Sequence, residues 1–236
     1  HRVSKGRVAA IICAAGKGKR LKSHVPKPFV RILGKPLLIH TLTGLMSSPA
    51  IDRFVIAADP GAVAKTVGLI KRHFSGRAVE VIAGGTTREA SVYNALRAVG
   101  ADCRWVLIHD AARPMVNAGM VGRVLAAAQR YGAAICATAV SSTVKRSDLS
   151  GRFIKTTLDR RRLYLAQTPQ AFSTKRLMRR FQLMKQAAFI KTDDAALFEG
   201  TAQRVALVEG ASHNIKVTTP QDLSLAEAFL RKGAKR

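Results

Sequence analysis

Apolar and polar residues come in regular blocks along this chain, and the blocks read as strands and helices in turn. A continuous apolar run, Val8 to Ala15, predicts a strand buried on both faces. Pro36 to Met46 reads as a helix with proline near its first turn, Arg53 to Ala58 as a strand, and Ala62 to Phe74 as a helix with Val63, Val67 and Ile70 along one side. Val79 to Ala83 is a short strand ending at Gly84-Gly85, followed by a helix over Thr87 to Val99 and a strand over Trp105 to Ile108. Met120 to Tyr131 completes the series as a helix and Ala133 to Ala139 as a strand. Repeated βα units imply an α/β fold, a mostly parallel sheet covered by helices on both faces. Ligands of such sheets bind beyond the carboxyl ends of the strands.

The alternation then breaks. Thr143 to Arg146 and Phe153 to Leu158 are short β-prone pieces around the turn signal Ser150-Gly151. They predict a hairpin arm, polar on both faces, and a lone hairpin needs something to lie against. Helical pattern resumes over Thr174 to Gln186, Val205 to Val208 is a last core strand, Asn214 to Val217 is extended, and Pro220 to Leu230 closes as a helix. No repeat, low-complexity segment or linker divides the chain, so residues 1–236 are expected to form one domain, with 143–158 as its arm.

Charge changes the picture next. Forty Lys+Arg against fourteen Asp+Glu give +26, a balance suited to polyanionic ligands. The cations are spread along the whole chain, and only Arg160-Arg161-Arg162 forms a run of three. A nucleic-acid-binding role therefore rests on charge alone, and weak, nonspecific polyanion binding is the expectation. Three cysteines, Cys13, Cys103 and Cys136, lack C-x-x-C spacing and read as small buried hydrophobes in a reducing compartment. No apolar run reaches ~20 residues, so no membrane span is expected, and no signal peptide is visible. A cytoplasmic site is the expectation, or a plastid-like stroma in a eukaryote.

Candidate chemistry follows the predicted strands. After the first comes a loop with Gly16, Gly18 and the cations Lys17, Lys19, Arg20, Lys22 and Lys27. Small residues there let backbone N–H groups form an anion-binding nest beside neutralising cations. Leu21 stands where G-x-G-x-x-G needs its third glycine and no G-K-[ST] follows, so neither common phosphate fingerprint is met. Taken alone, the stretch reads equally as a strand with a solvated basic loop. In H-D-A-A-R-P (His109 to Pro114), Asp110 suits hydroxyls or a metal and Arg113 suits a phosphate, or the two pair to cap the next helix. His109 reads as structural, Thr192-Asp193-Asp194 as a plain N-cap, and Lys216, by itself, as a solvated lysine.

Together these stretches resemble the 2-C-methyl-D-erythritol 4-phosphate cytidylyltransferase family of non-mevalonate isoprenoid synthesis, from about Val8 to Leu230. The marks are A-A-G-K-G-K-R with the later P-K, G-G-x-x-R-x-x-S-V (Gly84 to Val92), H-D-A-A-R-P, T-V-K-R (Thr143 to Arg146), D-R (Asp159, Arg160), Q-T-P-Q (Gln167 to Gln170), T-D-D and N-I-K-V-T-T-P-Q-D-L (Asn214 to Leu223). The resemblance implies a Rossmann-like, GT-A-like nucleotidyltransferase fold, a homodimer clasped by the arm, and Mg²⁺-dependent joining of CTP and a polyol phosphate, giving CDP-methylerythritol and pyrophosphate. It implies that Ala14, Ala15, Gly16 and Gly18 cradle the triphosphate and that Gly85 and Ser91 meet cytidine. Arg20, Lys27 and Lys216 would be catalytic. Asp110, Arg113, Thr143, Arg160, Thr168 and Thr192 would serve the sugar phosphate, with Arg160 working in the partner's site. Mg²⁺ would ride mainly on the CTP phosphates, with Asp110 the protein's own candidate ligand. A neighbouring activity, ribitol-5-phosphate cytidylyltransferase, shares much of the loop, but H-D-A-A-R-P and Q-T-P-Q favour methylerythritol phosphate. Two departures stand out: Pro28-Phe29 where Gln-Tyr is usual, and Thr86-Thr87 where acidic residues are common.

Overall fold

The structure, a computed structural model, describes residues 6–16, 18–21, 23–184 and 193–233. Its first strand, β1 (Arg7–Ala14), buries Val8 to Ile12 almost completely, as an unbroken apolar run requires. After the basic loop a small hairpin not foreseen in the sequence pairs β2 (Arg31–Ile32) with β3 (Lys35–Pro36). Leu33 and Gly34 form its turn at φ 49° and 76°, the left-handed region that makes so tight a reversal feasible.

The βα series follows as α1 (Leu37–Met46), β4 (Arg53–Ala58), α2 (Val63–His73), β5 (Val79–Ala83), α3 (Arg88–Val99), β6 (Cys103–Asp110), α4 (Ala118–Tyr131) and β7 (Ala133–Ala139). Local chemistry sets several boundaries. The Thr87 hydroxyl accepts the Ala90 N–H to start α3, and Asn117 accepts the Met120 N–H to start α4. Gly132, at φ 92°, ends α4 in the left-handed conformation. The arm is β8 (Val144–Ser147) against β9 (Ile154–Leu158), antiparallel and separate from the main sheet. It is not polar throughout, because Leu149, Phe153 and Ile154 stand exposed on it. The chain returns through β10 (Tyr164–Ser173), α5 (Thr174–Met184), β11 (Ala206–Glu209) and α6 (Pro220–Gly233).

Seven strands form the main sheet in the order β11-β7-β10-β6-β1-β4-β5. Six run parallel, in line with the mostly parallel sheet expected from the βα series, and β10 lies antiparallel between β6 and β7. The sequence hides this strand, since Pro169 within Q-T-P-Q argues against a central strand. The structure accommodates the proline at a register shift between Ala166 and Gln170, where the Thr168–Pro169 peptide is cis. The Thr168 hydroxyl accepts the Asp110 N–H at 3.0 Å, replacing a backbone ladder bond that this stretch does not make.

Side chains alternate across the sheet into two cores. Val8, Ala10, Ile12, Ile56 and Leu107 face α1, α2 and α4, while Ile11, Val55, Val106, Ile108 and Phe172 face α3 and α5. Each fully buried leucine or isoleucine contributes ~1.5–3 kcal/mol relative to exposure. A third cluster joins Leu21, Ile32, Leu37, Met115 and Val217 to α6, so the basic loop and the C-terminal segment pack on one another. From β1 the chain goes outward to β4 and β5 and then returns to β6 on β1's other side. That reversal leaves a crevice past the ends of β1 and β6, where open sheets of this kind bind ligands.

Candidate active site

A cavity of about 620 Å³ opens at this point. Cys13, Ala15 and Gly16 come to it from β1, Asp110 to Ala112 from β6, Asp59 and Pro60 from the end of β4, and Gly84 to Arg88 from the turn after β5. Lys27, Pro28, Leu37, Ser91 and Lys216 complete its wall.

Two side chains far apart in sequence meet here for structural reasons. The buried Asn214 amide donates to the Thr168 carbonyl at 2.9 Å, and the Val217 N–H donates to the Ala112 carbonyl at 2.8 Å. Between these anchors Lys216 is aimed at Asp110, with Nζ 2.8 Å from Oδ2. The solvated lysine suggested by local pattern is therefore an ion-paired wall of the cavity. Lys27 is placed by the short 3-10 turn Lys27–Phe29, with Phe29 buried in the core below. Gly18, at φ +65°, lies against the Lys27 stem, where a Cβ would sit 2.8 Å from the Lys27 Cβ.

Asp110 is the electrostatic centre. Besides Lys216, it has Arg88 Nε 3.6 Å from Oδ1 and Arg113 Nε 3.7 Å from Oδ2. Burial pushes its carboxyl up, but Lys216, Arg88 and Arg113 pull harder and hold it down at about 2. Burial, with Lys216 nearby, lowers the Lys27 ammonium to about 8. Arg88 Nη2 also meets Asp194 Oδ2 at 2.7 Å. Burial opposes the charge on Arg88, yet the Asp194 carboxylate more than offsets it and keeps the guanidinium charged.

The remaining polar groups are largely committed to the framework. His109 is fully buried, its Nε2 pairing with the Arg113 carbonyl and its Nδ1 with the Thr168 hydroxyl at 3.1 Å each. Burial lowers its imidazole to about 4, so it is neutral at ordinary pH, as a structural histidine should be. Ser91 accepts the Gly85 N–H at 3.0 Å and donates to the Thr87 carbonyl at 2.8 Å, spending its hydroxyl inside the loop. Burial pushes the Cys13 thiol up to about 12, and none of the three cysteines is in a disulfide.

Of the residues singled out in the sequence, Ala15, Gly16, Lys27, Gly85, Ser91, Asp110 and Lys216 share the cavity wall. Ala14 ends β1 just behind it, and Gly18 and Arg20 lie in the loop beyond. Arg113 stands behind Asp110, donating to the Asn214 carbonyl at 2.7 Å, which is a strut rather than a helix cap. Thr168 is buried under the site. Thr143 and Arg160 are exposed at the base of the arm, where the Arg160 guanidinium donates to the Ser141 carbonyl. Thr192 lies outside the described residues. In T-D-D the capping role falls to Asp193, which accepts the Ala196 N–H, whereas Asp194 is buried against Arg88. The motif G-G-x-x-R-x-x-S-V marks Arg88 without assigning it a role, and Asp59, which directly follows β4, is in none of the sequence motifs.

Comparison with known proteins gives this geometry a context. The profile of the family described as 2-C-methyl-D-erythritol 4-phosphate cytidylyltransferase matches residues 8–232. The chain is 41% identical over 220 residues to the Bacillus mycoides protein of that name, covering 93% of this chain and 96% of the relative. Among solved structures, the 4-diphosphocytidyl-2C-methyl-D-erythritol synthase of Anaerococcus prevotii superposes with a TM-score of 0.86 at 29% identity, covering 97% of this chain and 98% of its own. The 2-C-methyl-D-erythritol 4-phosphate cytidylyltransferase of Thermus thermophilus does so at 0.78 and 36%, covering 95% and 99%. A profile match over nearly the whole length, with a seven-stranded sheet that superposes end to end, means that this chain belongs to the 2-C-methyl-D-erythritol 4-phosphate cytidylyltransferase family.

Proposed function

We propose that the chain joins CTP and 2-C-methyl-D-erythritol 4-phosphate to give CDP-methylerythritol and pyrophosphate. The observation that carries this reading is the grouping of Lys27, Arg88 and Lys216 around one switch-point cavity beside a small-residue turn. A phosphate oxygen of the polyol phosphate attacks the α-phosphorus of CTP; the bond from that phosphorus to the α,β-bridging oxygen breaks, and pyrophosphate leaves in line. The nucleophile is already an anion, so alignment and relief of charge repulsion replace a general base. This suits a wall whose Ser91 hydroxyl is tied to Thr87 and whose Cys13 thiol stays protonated.

Ala15 and Gly16 offer backbone to the triphosphate, and Gly85 borders the base. Lys27 and Lys216 face the α-phosphorus, where preorganised cations are worth several kcal/mol as negative charge gathers. Arg20 meets the departing phosphates. Asp110 and Arg113, with Thr143, Thr168 and Thr192, serve the sugar-phosphate side.

Asp110 already has three cations around its carboxylate, which leaves poor room for a fourth. Mg²⁺ would therefore ride mainly on the CTP phosphates rather than on Asp110, and would supply further relief of their charge. Two copies are clasped by their arms, covering the exposed Leu149, Phe153 and Ile154, and Arg160 reaches the partner's site. No helix among the described residues is long and apolar enough to cross a membrane. The test is release of pyrophosphate with CTP, Mg²⁺ and the methylerythritol phosphate together. Stoichiometric pyrophosphate and CDP-methylerythritol are expected, and pyrophosphate release that ignores the polyol phosphate would overturn the reading.

A further inference from the structure

Two carboxylates line the cavity, and their surroundings are opposite. Asp110 is enclosed by Lys216, Arg88 and Arg113. Asp59, which directly follows β4, is in no ion pair among the described residues. Its Oδ1 accepts the Gly61 N–H at 3.0 Å, capping the short turn Pro60–Ala62, and Oδ2 has no hydrogen-bond partner among them. A bare carboxylate in a cavity that takes a triphosphate repels its ligand unless it meets a donor. CTP has three such donor groups: the cytosine 4-amino group and the two ribose hydroxyls.

Position in the sheet chooses between them. The cations that meet phosphate gather at the ends of β1 and β6, beside Asp110. Asp59 lies on the other flank, toward β5, at strand spacings of ~4.8 Å. The Gly84 N–H donates to the Ala58 carbonyl at 2.7 Å, strapping the Gly84-Gly85 turn against the residue before Asp59. Both glycines are forced by contact: a Cβ on Gly84 would lie 2.8 Å from Ala15 Cβ and Ser91 Oγ, and one on Gly85 would collide with Ala90. The result is a shelf free of side chains, suited to a flat ring, with a carboxylate at its edge.

We propose that Asp59 is a specificity-determining residue that accepts a hydrogen bond from the cytosine 4-amino group. Uracil presents a carbonyl oxygen in that position, so the same carboxylate turns UTP away by repulsion. This inference rests on the cytidylyltransferase reading above.

Asp59→Asn and Asp59→Ser both keep an acceptor for the Gly61 N–H, so the turn is preserved while the charge is removed. The measurement is kcat/KM for CTP, UTP and 2′-deoxy-CTP with the same polyol phosphate, in the unaltered protein and both variants. The preference for CTP over UTP should fall by about tenfold or more, with the largest UTP gain in Asp59→Asn, whose amide can donate to the uracil carbonyl. The preference for CTP over 2′-deoxy-CTP should not change. An unaltered CTP:UTP ratio overturns the proposal, as does a change confined to the deoxy ratio, which would put the carboxylate at the ribose. Failure of the unaltered protein to turn over CTP would sink the functional reading instead; calorimetric CTP and UTP affinities of the same three proteins would then still decide the role of Asp59.

Discussion

Truncating Arg88 to alanine strands a buried charge, and the cost can be worked from the geometry. The Asp194 side chain is 1% exposed and that of Arg88 23%, with 2.7 Å between Nη2 and Oδ2. Removing one partner of a fully buried pair costs about 3–5 kcal/mol; the partial exposure of Arg88 and water entering the open cavity bring this to about 2–3 kcal/mol. At roughly 2–4 °C per kcal/mol for a chain of this size, Tm should fall by about 5–10 °C. Burial raises the Asp194 carboxyl even with Arg88 present, and without the guanidinium nothing of comparable strength pulls it back. A folded pKa above the unfolded one means that the native state binds more protons, so its stability falls as pH rises. The Tm deficit of Arg88→Ala should therefore widen from pH 5 to pH 8. Asp194→Asn, which still leaves Arg88 a carboxylate partner in Asp110, should lose less. Thermal unfolding of both variants at several pH values is the assay. A deficit under about 1 °C, or one independent of pH, would refute the reasoning.

Three further outcomes are expected. Burial and Lys216 hold Lys27 at about 8, and a bound triphosphate should raise it, so CTP binding at pH 8.5 should take up a fraction of a proton. Calorimetry in buffers of different ionisation enthalpy reads this uptake, which Lys27→Ala should abolish. Asp110, held at about 2 against 3.8 for a free carboxyl, contributes about 2 kcal/mol that is present above pH 4 and lost as pH falls toward 2; acid unfolding of Asp110→Asn should lack that component. Finally, mixing inactive Lys27→Ala and Arg160→Ala subunits should restore roughly a quarter of full activity, since half the dimers formed by random exchange carry one intact shared site. No recovery after proven exchange would place both residues in one chain's site.

The central β-strands of the βα series were legible because burial on both faces leaves an unbroken apolar run, as Val8 to Ala15 and Phe54 to Ala58 illustrate. The strand Tyr164–Ser173 was not, because Pro169 breaks the local pattern and only tertiary contact, Thr168 to Asp110, compensates for it. In the site, Gly16 and Lys27 followed from the loop after β1. Lys216 did not follow from its own neighbourhood, because its aim depends on Asn214 and Val217 bonding to segments 46 and 105 residues away. Arg88 had a motif but no role, and Asp59 had neither, for a similar reason: each acts through what surrounds it in space, a buried Asp194 for one and, among the described residues, no paired cation for the other. The apolar residues of the arm are hard to read from sequence because Leu149 and Phe153 lie in the turn and Ile154 opens a strand that is otherwise mostly polar.

The central claim is that bond exchange occurs at the α-phosphorus of CTP in this cavity. CTP carrying ¹⁸O in its α,β-bridge, incubated with Mg²⁺ and 2-C-methyl-D-erythritol 4-phosphate, tests it most directly by mass spectrometry of both products. The expected result is that the label leaves entirely with pyrophosphate and that the CDP-methylerythritol is unlabelled. Label retained in the cytidine product, or turnover without pyrophosphate, would contradict it.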